Sequence, residues 1–378
     1  MSGAGGIAMV VGARPNLMKV APILRALDRR RAAGDAAPRA VLVHTGQHYD
    51  PRLSTEIFAD LRLPPPDHRL DVGSGTHAAM TAEIIRRLEP VLVAERPALV
   101  LVVGDVNSTV AAAITAAKLQ LPVAHVEAGL RSGDRSMPEE INRIVTDLLA
   151  TLLFTTEAAA DANLRREGVP PEGIHRVGNV MIDSLLWALP RADTSTVGAR
   201  LGLERGAPFA LLTVHRAGNL DAAPLGGILA AAASLARELP VVLPAHPRTR
   251  ACIAALGLSE LTRAPGEAAD GRVLLTEPLG YLDFIHLLAR ARLVLTDSGG
   301  LQDETTALGV PCLTLRDTTE RPVTLDAGTS VLVGSDRDRI LAHARAALAA
   351  GPPAERPRPP LWDGHAAERI AAVLAAGV

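Results

Sequence analysis

The chain has 378 residues, a formal net charge of -2, and a composition that is 48% hydrophobic but only 2% aromatic. Such a length suits two domains with cores built from Ala, Val, Leu and Ile, and balanced charge without a Lys/Arg run excludes general nucleic-acid binding. Two cysteines are too few for a zinc cluster or a disulfide framework, the start MSGAGGIAMVVGARP lacks the basic region of a signal peptide, and no apolar stretch reaches membrane-spanning length, so a cytoplasmic enzyme is expected.

Short β-branched runs recur along the chain, each followed by a helix-period segment. The first half carries IAMVVG (7–12), AVLVHT (40–45), ALVLVVG (98–104), LPVAHV (121–126) and ATLLFTT (150–156). The second carries FALLTV (209–214), PVVLPA (240–245), GRVLLT (271–276), ARLVLT (291–296), VPCLTL (310–315) and SVLVG (330–334). Runs that are apolar at every position imply strands buried on both faces, hence parallel sheets covered by helices. The alternation happens twice, so an α/β protein of two doubly wound, Rossmann-like domains with a cleft between them is predicted. The rhythm pauses near residue 177, where the hinge is expected. Residues 1–176 with a closing helix at 363–378 then form one domain, and 177–362 the other. The Pro-rich GPPAERPRPPLW (351–362) reads as a linker, and Asp363 as the N-cap of the closing helix.

In open α/β sheets ligands sit beyond the carboxyl ends of the strands. After IAMVVG come Ala13, Arg14, Pro15, Asn16 and Lys19, where open backbone N–H groups and two cations would make an anion site. GARPN is not GxGxxG and no GxxxxGK[ST] occurs, which excludes the standard dinucleotide and P-loop signatures. His44 and His48 are spaced as on a helix but fall on a strand end and turn, which argues against a metal site. Asp105 follows ALVLVVG, where an aspartate is ordinarily a helix cap. Glu127 follows LPVAHV; glutamate caps poorly, and Ala128-Gly129 beside it removes bulk, which favours a carboxylate kept for function. If the two runs are parallel neighbours, Asp105 and Glu127 share one sheet edge. Ser136 with Glu139 has capping-box spacing, with Pro138 in the first turn, although that helix opens close to Glu127. Glu140, Asn142 and Arg143 read as structural. Clustered carboxylates repel, so one of a close pair tends to hold a proton while its partner serves as base.

The second half offers other chemistry. His215-Arg216 follows FALLTV, and His246-Pro247-Arg248 follows PVVLPA. Asp297-Ser298-Gly299-Gly300 follows ARLVLT and opens a helix containing Glu304. Ser-Gly-Gly there presents unobstructed N–H groups to an anion, and Glu304 is placed to accept from sugar hydroxyls. Arg316 to Pro322 forms a further cationic loop. Carboxylates in one half and anion and hydroxyl binders in the other suit a nucleoside-diphosphate sugar.

Together GARPNLMKVAPI, HTGQHYD, VVGDVNSTV, HVEAGLRS, MPEEINR, VGNVMID, TVHRAGN, DSGGLQDETTALGVPCLTLRDTTERPVT and AGTSVLVG resemble the non-hydrolysing UDP-N-acetylglucosamine 2-epimerases, from about residue 7 to 335. The resemblance implies a GT-B-like fold and interconversion of UDP-GlcNAc and UDP-ManNAc without metal or nicotinamide, in a homodimer. It assigns Asp105, Glu127, Glu139 and His215 to catalysis. It assigns Arg14, Lys19, Phe284, Ser298, Gly299, Gly300, Glu304 and Arg321 to substrate binding. Two departures stand out: Tyr49-Asp50 replaces an Arg-Glu pair associated with an allosteric substrate site near Gln47-His48, and Leu279 replaces a nucleotide-side Gln. A hydrolysing epimerase and an epimerase of a modified UDP-HexNAc remain as alternatives.

Overall fold

The computed structural model describes residues 6–46, 51–351, 355 and 359–377. In the first half the strands are β1 (Ile7–Val11), β2 (Ala40–His44), β3 (His68–Arg69), β4 (Leu99–Val103), β5 (Val123–Ala128), β6 (Leu152–Thr155) and β7 (Ile174–Arg176). They lie in the order β3-β2-β1-β4-β5-β6-β7. In the second half they are β8 (Ala210–Thr213), β9 (Val241–Pro244), β10 (Thr262–Arg263), β11 (Val273–Thr276), β12 (Leu293–Thr296), β13 (Cys312–Thr314) and β14 (Ser330–Leu332). Their order is β10-β11-β9-β8-β12-β13-β14. Every pairing is parallel.

All the predicted runs are strands, and the reason is visible in their burial: every residue of β1, β4 and β5 is buried. No apolar run announces β3, β7 and β10. These are edge strands of two or three residues bearing His, Arg and Thr. Small residues replace aromatic bulk where helices meet the sheet. Helix Asn107–Lys118, which joins β4 to β5, buries Ala111, Ala112, Ala113 and Ala116 completely. Strand order reverses direction at β1/β4 in the first sheet and at β8/β12 in the second. Such switch points leave a crevice at the carboxyl ends of the strands.

By its contacts the chain divides into Met1–Trp187 with Pro360–Val378, and Ala188–Pro359. The division falls later than the hinge expected near 177, because helix Val180–Ala192 starts as part of the first unit. Ser184 Oγ donates to Met18 O, and the Arg25 guanidinium lies 4.0 Å above the Trp187 ring. Asp183, on the same helix, accepts from the Ala366 and Ala367 amides at 3.2 and 2.7 Å. It therefore caps the closing helix Ala366–Ala376. Asp363, the cap expected from sequence, lies too far upstream. Its carboxylate accepts from His365 N and pairs with Arg369 instead. Ile370 and Leu374 of that helix are buried, each contributing about 2 kcal/mol. Half of the Pro-rich linker, at 352–354 and 356–358, lies outside the described residues. No helix among the described residues is long and apolar enough to cross a membrane.

Candidate active site

In the first unit the switch point is stitched by one side chain. Asn16 Oδ1 accepts from Gly12 N and Ala13 N at 3.1 and 3.0 Å, while its Nδ2 donates to Val103 O at 3.1 Å. The ends of β1 and β4 are thereby fixed together. Two amides that the sequence reading left open for an anion are spent on Asn16. Arg14 stands half-buried at the first position of helix Arg14–Ala32. Lys19, one turn on, is buried and turns to an acid rather than outward: its Nζ lies 2.8 Å from Glu127 Oε2. Its head also explains Gly104, whose φ is 66° and where a Cβ would sit 2.6 Å from Lys19 Nζ.

Glu127 is held in an uncommon backbone state. The pairing of β5 with β6 shifts between Val126 and Ala128, so Glu127 is the extra residue of a β-bulge. Its φ is 71°, the left-handed region, at a cost on the order of 1 kcal/mol for a residue with a Cβ. Strain of this kind persists only where surrounding structure enforces it, and it clusters at working sites.

Asp105 follows the neighbouring strand β4 by two residues, and Val103 pairs with Val126, beside Glu127. It does not cap the following helix; Val106 holds that position with no side-chain bond. Instead Asp105 Oδ2 pairs with Arg143 at 2.7 Å, and Asn142 Nδ2 donates to Asp105 O at 2.8 Å. Asp105 and Glu127 thus each stand opposite a different cation. Arg143 also pairs with Glu140 at 2.7 Å. Burial opposes ionisation of Glu140, but the Ser132 and Gly133 amides and Arg143 outweigh it and hold this carboxyl below its usual range.

The expected capping box is absent. Helix Pro138–Leu149 has Met137 at the N-cap, and Ser136 bonds to Asp134 through both its amide and its hydroxyl. Glu139 is therefore not consumed as a cap. It is half-buried, and its side chain makes no hydrogen bond or ion pair with the described residues. It stands three and four residues before Asn142 and Arg143, on the helix face that meets Asp105. The Asn142-Arg143 pair, read from sequence as structural, is what holds Asp105.

In the second unit His215 and Asp297 follow the ends of β8 and β12. Asp297 is wholly buried and accepts from the His215 and Arg216 amides at 3.0 and 2.9 Å. Its carboxylate lies 2.8 Å from His215 Nδ1. Burial works against its charge, but His215 and those amides prevail and keep the carboxyl below the ordinary range. The pair fixes the ring, whose side chain is 54% exposed, with Nε2 directed away from Asp297. Ser298 then holds the N-cap position of helix Gly299–Leu308, without a side-chain capping bond. A Cβ at Gly299 would lie 2.5 Å from Glu320 Oε1 and 3.0 Å from Arg321 Nε, so glycine lets these side chains of the cationic loop approach the helix end without shifting. Gly300 follows at the second helical position. Glu304 is buried one turn further, and Phe284 is half-buried on helix Tyr281–Leu288. Arg321 is buried and pairs with Asp303 at 2.6 Å, so part of its charge stabilises the loop. Burial pushes Arg316 below its ordinary range although Glu320 lies 2.8 Å away. Asp297 and Asn219, which donates to Leu315 O at 2.9 Å, had no sequence assignment; an acid at a strand end opposite a histidine was the available signal.

Other sequence candidates fall elsewhere. His246 caps helix Pro247–Ala255. His44 is buried, which together with Arg69 pushes its ring below the ordinary range. His48, with Gln47 and Tyr49-Asp50, lies outside the described residues. A groove of about 1390 Å³ opens at the amino ends of β8, β12 and β13, lined in part by Glu204, Arg205, Phe209, Arg290 and Pro311. It contains none of the candidate site residues.

The model of the family described as UDP-N-acetylglucosamine 2-epimerase matches residues 31–375. UDP-2,3-diacetamido-2,3-dideoxy-D-glucuronate 2-epimerase of Pseudomonas aeruginosa is 42% identical over 98% of this chain and 99% of its own. The UDP-N-acetylglucosamine 2-epimerase of Methanocaldococcus jannaschii is 36% identical over 98% and 99%. The crystal structure of the M. jannaschii enzyme with UDP-GlcNAc and UDP superposes with a TM-score of 0.87, covering 98% of this chain and 100% of that one. The Neisseria meningitidis UDP-GlcNAc 2-epimerase bound to UDP-GlcNAc is 29% identical, with a TM-score of 0.86 over 98% and 100%. Two parallel doubly wound sheets agree with these matches, and the chain belongs to the UDP-N-acetylglucosamine 2-epimerase family.

Proposed function

We propose that this protein inverts C2 of UDP-N-acetylglucosamine, giving UDP-N-acetylmannosamine, by eliminating UDP and adding it back. The observation that supports this reading best is the pair of adjacent strand ends carrying Asp105 and Glu127, each opposite its own buried cation. A C2–H beside an intact C1–O bond is too weak an acid for a side chain. As the C1–O bond breaks, its electron pair leaves with UDP and positive charge grows at C1. That charge acidifies C2–H, and a carboxylate removes the proton as the C1–C2 double bond forms. The products are 2-acetamidoglucal and UDP. Return of a proton to the other face of C2, with the UDP oxygen bonding to C1, completes the epimer.

Asp105 and Glu127 serve as acid and base at the sugar, and Glu139, without a partner among the described residues, supplies the further proton-transfer group that two faces require. Negative charge at these strand ends also favours the developing oxocarbenium character. The second unit takes the diphosphate. His215, held by Asp297, offers Nε2 to the leaving phosphate. The start of helix Gly299–Leu308 supplies amides and dipole, with Arg321 as a cation, while Arg14 and Lys19 are the substrate-binding cations of the first unit. Phe284 and Glu304 complete the nucleoside side. A homodimer in the cytoplasm is part of the same reading.

A second reading is favoured by one observation. The 42% identical relative acts, by its name, on a UDP-sugar bearing a second acetamido group and a carboxylate. The two are separated by incubating the protein with each UDP-sugar in deuterated water and following C2 by proton NMR. The expected result is UDP-ManNAc with deuterium at C2. Epimer without label contradicts the elimination route, free ManNAc marks a hydrolysing enzyme, and turnover of the diacetamido uronate alone selects the second reading.

A further inference from the structure

We propose that His125 and Asp147 are positioning residues, a buried imidazolium–carboxylate clamp that sets the ends of β4 and β5 and holds the strained bulge that presents Glu127. The proposal rests on reading Asp105 and Glu127 as the reacting carboxylates.

The protonation of this pair follows from its partners. The His125 side chain is wholly buried. Its Nε2 lies 2.8 Å from Gly104 O, a carbonyl that only accepts, so Nε2 carries a hydrogen. Its Nδ1 lies 2.6 Å from Asp147 Oδ1, and a contact that short between two lone-pair atoms requires a proton between them. The other Asp147 oxygen accepts from Gly129 N at 3.0 Å and pairs with Arg131 Nη1 at 2.7 Å. Three donors converge on Asp147, which makes it the carboxylate and leaves both ring protons on His125. Burial resists the Asp147 charge, but His125 and Arg131 overcome it and hold the carboxyl below the ordinary range. Arg131 pairs in turn with Glu167 at 2.6 Å, so two cations and two anions close the cluster without net charge.

The geometry gives the cluster its role. Residues 125 and 129 flank Glu127 by two positions on either side, and both are tied to the one carboxylate of Asp147. Glu127, at φ 71° and unmatched in the ladder, is thus stapled before and after. Through Nε2 the same ring grips the carbonyl of Gly104, the residue before Asp105. One ion pair therefore fixes the backbone on which both carboxylates stand. A Cβ at Gly129 would meet Ala160 O at 2.5 Å, so this staple also presses the bulge against the next helix. A displacement of about 1 Å in reacting groups costs on the order of 100-fold in rate.

The first test needs no variant and no substrate. Nitrogen-15 NMR of the histidine rings in the folded protein is expected to show a hydrogen on both His125 nitrogens, as the contacts to Gly104 O and Asp147 require. A neutral ring overturns the proposal. The second test uses His125→Gln, which keeps a donor for Gly104 O but loses the bond to Asp147. Its kcat on the UDP-sugar turned over by the native protein is expected to fall about 100-fold, with KM and UDP affinity within about threefold. Unchanged kcat overturns the proposal. A joint loss of kcat and UDP affinity does so too, by marking a packing role. Should the native protein turn over no UDP-sugar, the proposed function fails, while the nitrogen spectrum still decides whether the clamp exists.

Discussion

Glu127 combines three properties that rarely coincide in one side chain: it is buried, it is ion-paired, and its backbone is left-handed. A merely structural glutamate gains nothing from that strain, so chemistry is the better account of it. Glu127→Gln keeps the shape and removes the charge. Turnover is expected to drop at least about 100-fold, the size typical of losing a general acid or base, while UDP binds as before. Calorimetric titration with UDP alongside the C2 exchange assay checks this; equal loss of both would make Glu127 a structural residue. At this scale the sequence was partly legible. A poor capping residue followed by Ala-Gly at a strand end pointed to Glu127, but the bulge is a feature of pairing with β6 and leaves no local signature. Ser136 and Glu139 show the opposite failure. Their spacing is that of a capping box, yet Asp134, two residues before, outcompetes the helix end for the Ser136 hydroxyl at 2.6 Å.

The closing helix Ala366–Ala376 depends on an acid from another element. Asp183 is buried against its first turn, and that burial pushes its carboxyl up to about 6 despite the two amides it accepts. A raised carboxyl favours the folded state in its protonated form. Its contribution is therefore complete below the ordinary aspartate range and is lost as pH rises from about 4 to about 6, on the order of 3 kcal/mol in all. Asp297 and Asp147 act in the opposite sense, since depressed carboxyls lose their stabilisation as pH falls. Asp183→Asn separates the two. Urea melts at pH 5 and pH 8 are expected to show the native protein gaining less between these values than the variant does. Identical pH slopes would remove Asp183 from the account. Strands and helices were readable wherever an apolar run ended in a turn signal. The cap was not, because Asp183 and Ala366 are far apart in sequence and only docking brings them together.

Across the whole molecule the chemistry is divided between the units: carboxylates with their cations in the first, the histidine and the glycine-opened helix in the second. UDP alone is therefore expected to slow amide exchange at residues 215–216 and 298–300 while β4 and β5 exchange as before. Hydrogen-exchange mass spectrometry with and without UDP checks this, and equal protection in both units would remove the division of labour. By itself the sequence determined the double set of parallel strands and the residues that follow each one, because apolar periodicity and turn chemistry are local. Only the tertiary structure decided which charges meet. Lys19 reaching Glu127, Arg143 reaching Asp105, and Asp147 gripping both sides of a bulge all arise from strand order and helix packing. Buried charges persist only opposite partners, and those partners come from distant parts of the chain.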